Sequence, residues 1–243
     1  MSNGSPTSFT TQFADRAEQL FQRPRCQYGW DEIVTGVDVR RQNGSAVQMA
    51  AVARNTFRGF HRINKALSGA GEPFQQYLTK NRQRLTTELL AVTDRDRLHR
   101  VSNRICTEVR VGLSNIKPDQ LASYNKVRKP VDLYIEHLVA MSFELEEARQ
   151  VLVPLLFLPL DCQILESSEL FTDRELAQHG LRRSSTYSAV TTERSYLALQ
   201  AIITRRTGEV ATALGRPFWP IYFDLLWNGR HSSWGGNLFE SNP

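Results

Sequence analysis

Cysteine and histidine are scarce in this chain of 243 residues, which holds three cysteines and five histidines. Cys26, Cys106 and Cys162 are far apart and form neither a CxxC pair nor a zinc-binding spacing, so we expect a reducing, cytoplasmic setting. No apolar segment follows a basic head at the N-terminus, and the densest aliphatic run, residues 151–160, is shorter than the about 20 residues of a membrane-spanning helix. We therefore expect no signal peptide and no contact with a membrane.

The sequence also lacks the motifs of several large enzyme classes. It contains no GxxxxGK[ST], GxGxxG, GxSxG or HExxH, which argues against the common nucleotide-binding, hydrolase and metalloprotease chemistries. No acidic residue stands two positions before a lysine, so half of the PD-(D/E)xK nuclease motif is missing as well. These patterns identify no cofactor, and they do not set the oligomeric state.

Lysine is scarce too, because 25 of the 30 basic side chains are arginines. The formal net charge is +5 and the isoelectric point is about 9.3. The guanidinium group is a planar fork that binds phosphate or carboxylate through two hydrogen bonds at once. The excess of arginine therefore favours an anionic partner, although a GC-rich genome produces the same bias without any function.

Hydrophobic periodicity and capping residues predict a mainly α protein. We expect a single-domain bundle of about seven helices around a buried central helix at residues 130–153, which is apolar nearly all round. Residues 1–11 are predicted to form a disordered tail and residues 12–243 one helical domain. The best β-like stretch, a minor element, is Ile33 to Arg40.

The helix predicted from Ser45 to about residue 68 carries a row of cations opposite its apolar face. At 100° per residue, the side chains close to one line are those of Arg54, Arg58, His61, Arg62 and Lys65. No acidic residue occurs between Asp38 and Glu72. A row of one sign predicts a surface that binds the phosphates of RNA or DNA, and the alternative is an ordinary solvated face.

Arg54, Asn55 and His61 lie in this row, with six residues between Arg54 and His61. The spacing resembles the Arg-x(4–6)-His motif of HEPN-type nucleases, which are helical RNA-cleaving proteins common in defence and toxin systems. The resemblance covers this one helix. It implies that Arg54 stabilises phosphate and that His61 does acid–base or electrophilic work, often completed across a dimer. Arg174 and His179 form a second pair within this spacing, but Asn55 after the arginine favours the first.

The central helix carries three ionisable side chains, Asp132, Glu136 and His137, where burial is unfavourable. Asp132 and Glu136 are one turn apart, so a positive group must answer their charges if both are buried. The functional interpretation is the site of a metal or small-molecule enzyme. The alternative is a structural ion pair with arginines of neighbouring helices.

The C-terminal segment is rich in aromatic side chains, which either stack bases or close the core as a cap, and we favour the cap. These residues are Phe218, Trp219, Tyr222, Phe223, Trp227 and Trp234. The sequence as a whole predicts a nucleic-acid-binding protein, with RNA or DNA cleavage as a further expectation. Two alternatives stay open: a non-enzymatic helical subunit that binds an acidic protein partner, and the enzyme built on the central helix.

Overall fold

The computed structural model describes residues 9–40 and 46–228, and in them the chain is mainly α. The helices are α1 (Thr11–Phe21), α2 (Trp30–Thr35), α3 (Gly71–Lys80), α4 (Arg82–Leu90), α5 (Arg95–Gly112), α6 (Tyr124–Met141), α7 (Arg149–Leu152), α8 (Cys162–Glu166), α9 (Asp173–Ala177), α10 (Glu193–Leu214) and α11 (Leu225–Asn228). The strands β1 (Val37–Arg40) and β2 (Ala46–Met49) form one small antiparallel sheet. The predicted mainly α class with a minor β element is confirmed. Within the described ranges, no helix has both the length and the apolar character that a membrane span requires.

Helix α6 runs through the middle of the core, as predicted for this region. Fifteen of its 18 residues are buried, so it has almost no solvent-facing side. Its bounds differ from the predicted 130–153, because it begins at Tyr124 and holds Pro130 in its interior. It ends at Met141, since Ser142 adopts an extended conformation and pairs with Tyr28. A bridge to a segment distant in sequence therefore ends the helix earlier than the apolar periodicity predicted.

The helix predicted from Ser45 to about residue 68 is wrong. Ser45 itself lies outside the described residues, and the chain after it forms β2, in which Met49 pairs with Val37 of β1. Beyond β2 the segment is irregular except for a 3-10 turn over Arg54–Phe57. Pairing with β1 and the burial of Met49 and Phe60 override the helical periodicity, because tertiary contacts outweigh weak intrinsic propensities.

A glycine separates α2 from β1 inside the stretch predicted to be β-like. Gly36 has a φ of 122°, and a Cβ atom there would lie 2.8 Å from Cγ of Gln48. Only glycine accepts this conformation and this close approach without strain. The predicted stretch is therefore half right, since Ile33 belongs to α2 and the strand begins at Val37.

The two ends of the described chain pack against each other. Phe9 is 5% exposed, its ring centroid lies 5.1 Å from that of Phe223, and Thr10 caps α1 by accepting a hydrogen bond from the Phe13 amide. The predicted disordered tail therefore extends too far, because residues 9–11 are part of the fold. Phe218 and Phe223 are fully buried, which confirms that the aromatic segment closes the core. Trp234 and the side chain of Trp227 lie outside the described part.

We predict that Phe223→Ala lowers the free energy of unfolding by about 3–5 kcal/mol, because it removes a fully buried ring and leaves a cavity. The matched control is Phe143→Ala, since Phe143 is 58% exposed and its loss should change stability by less than about 0.5 kcal/mol. Urea denaturation followed by circular dichroism measures both values. Equal effects of the two changes would contradict the aromatic cap.

Candidate nucleic-acid interface

A groove with a volume of about 1360 Å³ opens between β2, the irregular segment that follows it and the N-terminal end of α3. We call it the basic groove after its basic lining side chains, which are Arg54, Arg58, His61, Arg62, Lys65 and Lys117. The first five are the residues predicted from the sequence, so the structure brings all of them to one concave surface. Their arrangement is not the straight line on a helix that the periodicity predicted.

Buried apolar residues hold the irregular segment in place. Ala51, Val52 and Phe60 are each less than 9% exposed, and the cations between and after them point away from the core into solvent. The Phe60 ring packs edge-on against Phe74 of α3 at 6.5 Å. Gly59 lies close to Tyr187, since a Cβ atom there would be 2.9 Å from the Tyr187 hydroxyl oxygen. The segment thus has fixed anchors on both sides of Arg54 and Arg58.

A second set of contacts fixes the part of the segment that carries Arg62 and Lys65. The Asn115 side chain accepts a hydrogen bond from the Asn64 amide at 3.0 Å and donates to the carbonyls of Asn64 and Ser68 at 3.1 and 3.2 Å. The amide of Ile63 donates to the Asn115 carbonyl at 2.7 Å. Asn115 therefore attaches the turn at residues 63–68 to the chain that follows α5.

The same contacts bring Lys117 into the basic groove, a residue that sequence reasoning missed. Its backbone amide donates to the carbonyl of His61 at 2.9 Å, next to an antiparallel bridge between Arg62 and Ile116. No local signal predicts this neighbourhood, because Lys117 lies far along the chain and shares no periodic pattern with the segment. The structure adds one more basic side chain to the five that were predicted.

The basic side chains of the groove are not neutralised by acidic residues within the described part of the protein. Arg54, Arg58, Arg62 and Lys65 form no ion pair with an acidic residue in the described ranges, and Arg62 donates instead to the Leu67 carbonyl at 2.8 Å. Glu72 is the acidic residue in the groove wall, and Gln76 donates to its carboxylate.

Several arginines elsewhere behave differently. Arg82 pairs with Asp31 at 3.0 Å, and Arg84 pairs with Glu108 at 2.6 Å. The pairing is strong enough to lower the pKa of Glu108, chiefly through its hydrogen bond to Arg84. Exposed arginines without an ion pair, such as Arg97 and Arg174, also occur elsewhere on the described surface. The basic groove differs in that several unpaired cations line one concavity.

The setting implied by the resemblance to HEPN-type nucleases is corrected in one respect. Arg54 begins a 3-10 turn and His61 lies in irregular chain, so the two residues do not share a helix face. Both are exposed and both line the basic groove. The second pair differs, since Arg174 is in the short helix α9 and His179 follows it.

The Asp132 carboxylate of the central helix forms a buried ion pair with Arg128, one turn earlier on α6. The Nε–Oδ1 distance is 2.6 Å, and the hydroxyl of Tyr196 donates to the other oxygen at 2.7 Å. Burial raises the pKa of Asp132, and the positive charge of Arg128 opposes this shift. The arrangement is the structural ion pair that the sequence left open as an alternative, but the arginine is on the same helix.

Arg128 also contacts the imidazole ring of His99 and two aromatic rings. One Nη atom lies 3.2 Å from His99 Nδ1, and the guanidinium stacks on the rings of Phe157 and Tyr196 at 4.9 Å. Because arginine can only donate, Nδ1 accepts from Arg128, while Nε2 lies 2.6 Å from a carboxylate oxygen of Glu193 and 3.0 Å from the side-chain nitrogen of Asn103. Both ring nitrogens are engaged, so His99 serves this network rather than an incoming reactant.

Glu136 faces a different partner, the carboxyl group of Asp224. Both are buried, and neither oxygen of Glu136 accepts a hydrogen bond from a described residue. Desolvation and the charge of Asp224 raise the pKa of Glu136 well above its ordinary value, while burial and the charge of Asp161 raise the pKa of Asp224 to about 7. Burial beside a second carboxyl group thus disfavours the charged form of Glu136. Lys129 partly offsets the pKa shift of Asp224.

His137 is buried as well, and desolvation lowers its pKa to about 4. Its Nδ1 atom donates to the Leu133 carbonyl at 2.8 Å, within its own helix. Asp132 thus has Arg128 and Tyr196 as hydrogen-bond partners, whereas Glu136 faces the carboxyl group of Asp224. The described residues contain no group of three or more histidine, cysteine or carboxylate side chains that could hold a metal ion.

Comparison of the chain with protein-family models, with curated protein sequences and with solved structures finds no match.

We predict that Glu136→Gln makes the protein more stable at pH 8 by about 1–2 kcal/mol, with little change near pH 4. The folded-state pKa of Asp224 is raised from 3.8 to about 7, so the wild type loses stability as the pH rises through this window. Burial also raises the pKa of Glu136, which adds to that loss, and an amide at position 136 has no titrating proton, so the part that belongs to Glu136 is removed. Thermal melts across this pH range test the effect, with the exposed Glu147→Gln as control. Parallel pH profiles for Glu136→Gln and the wild type would contradict the carboxyl pair.

Proposed function

We propose that the protein binds nucleic acid, RNA or DNA, through the basic groove. The observation that carries this proposal is the convergence of exposed cations without acidic partners on one concave surface. Guanidinium groups bind phosphate oxygens in a bidentate manner, and neutralising several phosphates releases counterions from the polymer. Each unpaired cation in the groove is available for one such contact.

The size of the groove supports a polymer rather than a small metabolite. Its volume of about 1360 Å³ is larger than the roughly 300–1,000 Å³ of typical small-molecule sites. Its basic side chains come from two segments, residues 54–65 and Lys117. An extended polyanion can reach all of them at once, whereas a single phosphate cannot. The setting that we propose is the cytoplasm, in line with the wide spacing of the three cysteines along the sequence.

An acidic protein partner is the alternative for the same surface. Carboxylates on a folded partner are spaced irregularly, whereas phosphates repeat along a nucleic-acid strand. Binding of simple oligonucleotides with a steep salt dependence separates the two, because counterion release from a polymer is the source of that steepness. Tight binding to another protein without affinity for oligonucleotides would favour the partner.

We predict that Arg58→Ala weakens oligonucleotide binding and reduces the slope of log affinity against log salt by about 0.7–0.9, the contribution of one phosphate contact. Arg58 is exposed and unpaired among the described residues, so its removal should leave the fold intact. The matched control is Arg97→Ala, an exposed arginine of α5 outside the groove. Fluorescence anisotropy over a salt series measures the slope. An unchanged slope for Arg58→Ala, or no binding by the wild type at low salt, would rule out the proposal.

Strand cleavage is a second proposed activity, supported by the presence of Arg54 and His61 in the same groove. Arg54 would hold the charge of the reacting phosphate, and His61 would exchange a proton with the attacking or leaving oxygen. This chemistry needs both side chains on one bound phosphate, and the concave arrangement permits that approach.

We predict that His61→Ala keeps oligonucleotide binding and abolishes product formation, because proton transfer is lost while the arginines remain. His179→Ala is the control, since it belongs to the other arginine–histidine pair and lies away from the groove. Gel analysis of end-labelled RNA and DNA reports cleavage. Equal amounts of product from wild type and His61→Ala would show that His61 takes no part, and absence of product from the wild type would refute cleavage without touching the binding proposal.

A further inference from the structure

We infer that the basic groove takes single-stranded nucleic acid and that Phe57 is the platform on which one unpaired base stacks. This inference rests on the proposed function and names its substrate class. The aromatic ring lines the groove and stands in sequence between two of its cations, Arg54 and Arg58. A base on the ring would have its flanking phosphates near these guanidinium groups.

The Phe57 ring is held in place before any ligand arrives. Its centroid lies 5.8 Å from that of Phe60 and 5.4 Å from that of Phe74, and both of those rings are buried. On the α3 side, a Cβ atom at Gly71 would come within 3.3 Å of the ring, so glycine permits this close seat. Phe57 itself is only partly buried, because it forms the groove wall. A supported aromatic with remaining exposure is the arrangement that base stacking requires.

Duplex nucleic acid cannot use such a platform, because its bases are stacked on one another and their faces are covered. Single strands expose those faces, and stacking on aromatic side chains is largely independent of sequence. The backbone conformation around the groove also favours a single strand over a duplex. Its cations stand on irregular chain around a concavity, whereas the helix that could have entered a major groove is not formed in this segment.

The groove also keeps its shape without the ligand. The buried Phe60 anchors one end of the cationic segment, and the hydrogen bonds of Asn115 clip the other. A strand would therefore meet positioned cations and a positioned ring, which lowers the ordering cost of binding.

The test compares labelled oligothymidylate and oligouridylate of about 12 nucleotides with a duplex of the same length, within the range of known single-strand site sizes. We expect the single strands to bind more tightly than the duplex. Phe57→Leu keeps an apolar side chain but removes the aromatic face, so we expect about a tenfold loss for single strands and little change for the duplex. Phe57→Tyr retains the ring and should retain the affinity.

Phe143→Leu is the matched control, because Phe143 is exposed outside the groove and should affect neither ligand. Circular dichroism and thermal melts of each variant show that it is folded, and the comparison of single strand with duplex on the wild type decides the question if Phe57→Leu is not. Salt-dependent binding that is equal for strand and duplex and unaffected at Phe57 would overturn this inference and leave the proposed function standing. Absence of salt-dependent binding to either ligand would overturn both.

Discussion

A fully buried guanidinium is the constraint around which the helical core is arranged. Arg128 has no exposed surface, and a charge left unpaired at such a position would cost of the order of several kcal/mol. Its partners come from different helices: Asp132 from α6 itself, His99 and Asn103 from α5, while Tyr196 of α10 holds Asp132 from the other side. Each contact requires its helix at a fixed distance, so the network fixes how α5, α6 and α10 pack.

The sequence revealed this constraint only in part. Buried carboxylates in the central helix and an answering arginine were both expected, but the arginine was sought on neighbouring helices. Arg128 stands four residues before Asp132, and a helix predicted to begin at Pro130 left it out. The partner of Glu136 could not have been predicted, because no spacing along the chain links it to Asp224. The capping pair Thr172 and Glu175, in contrast, was predictable since both residues act within one turn.

For residues 54–65 the outcome was the opposite. The sequence identified the residues that line the groove but predicted the wrong secondary structure for them. Helical periodicity and the formed structure agree that residues such as Val52 and Phe60 point inward, so the cations between them point outward in either case. The backbone conformation was determined by the pairing of β2 with β1, a strand that lies earlier in the chain. The roles of Lys117 and Asn115 could not be predicted for the same reason, because they too depend on contacts with a segment distant in sequence. Contacts between segments that are distant in sequence therefore determined both the secondary structure of residues 46–65 and the full set of residues that line the groove.

The unpaired state of the groove cations is not explained by stability. Exposed ion pairs contribute between about 0 and 1 kcal/mol, so leaving arginines unpaired costs the fold little, and pairing them would gain little. Paired arginines such as Arg82 show that acidic partners occur elsewhere on this surface. Between Asp38 and Glu72 the sequence provides none, and the anchors of the segment are apolar rings and a neutral amide. The fold therefore supports these cations without neutralising them, which leaves the charge of the groove to be met from outside the molecule.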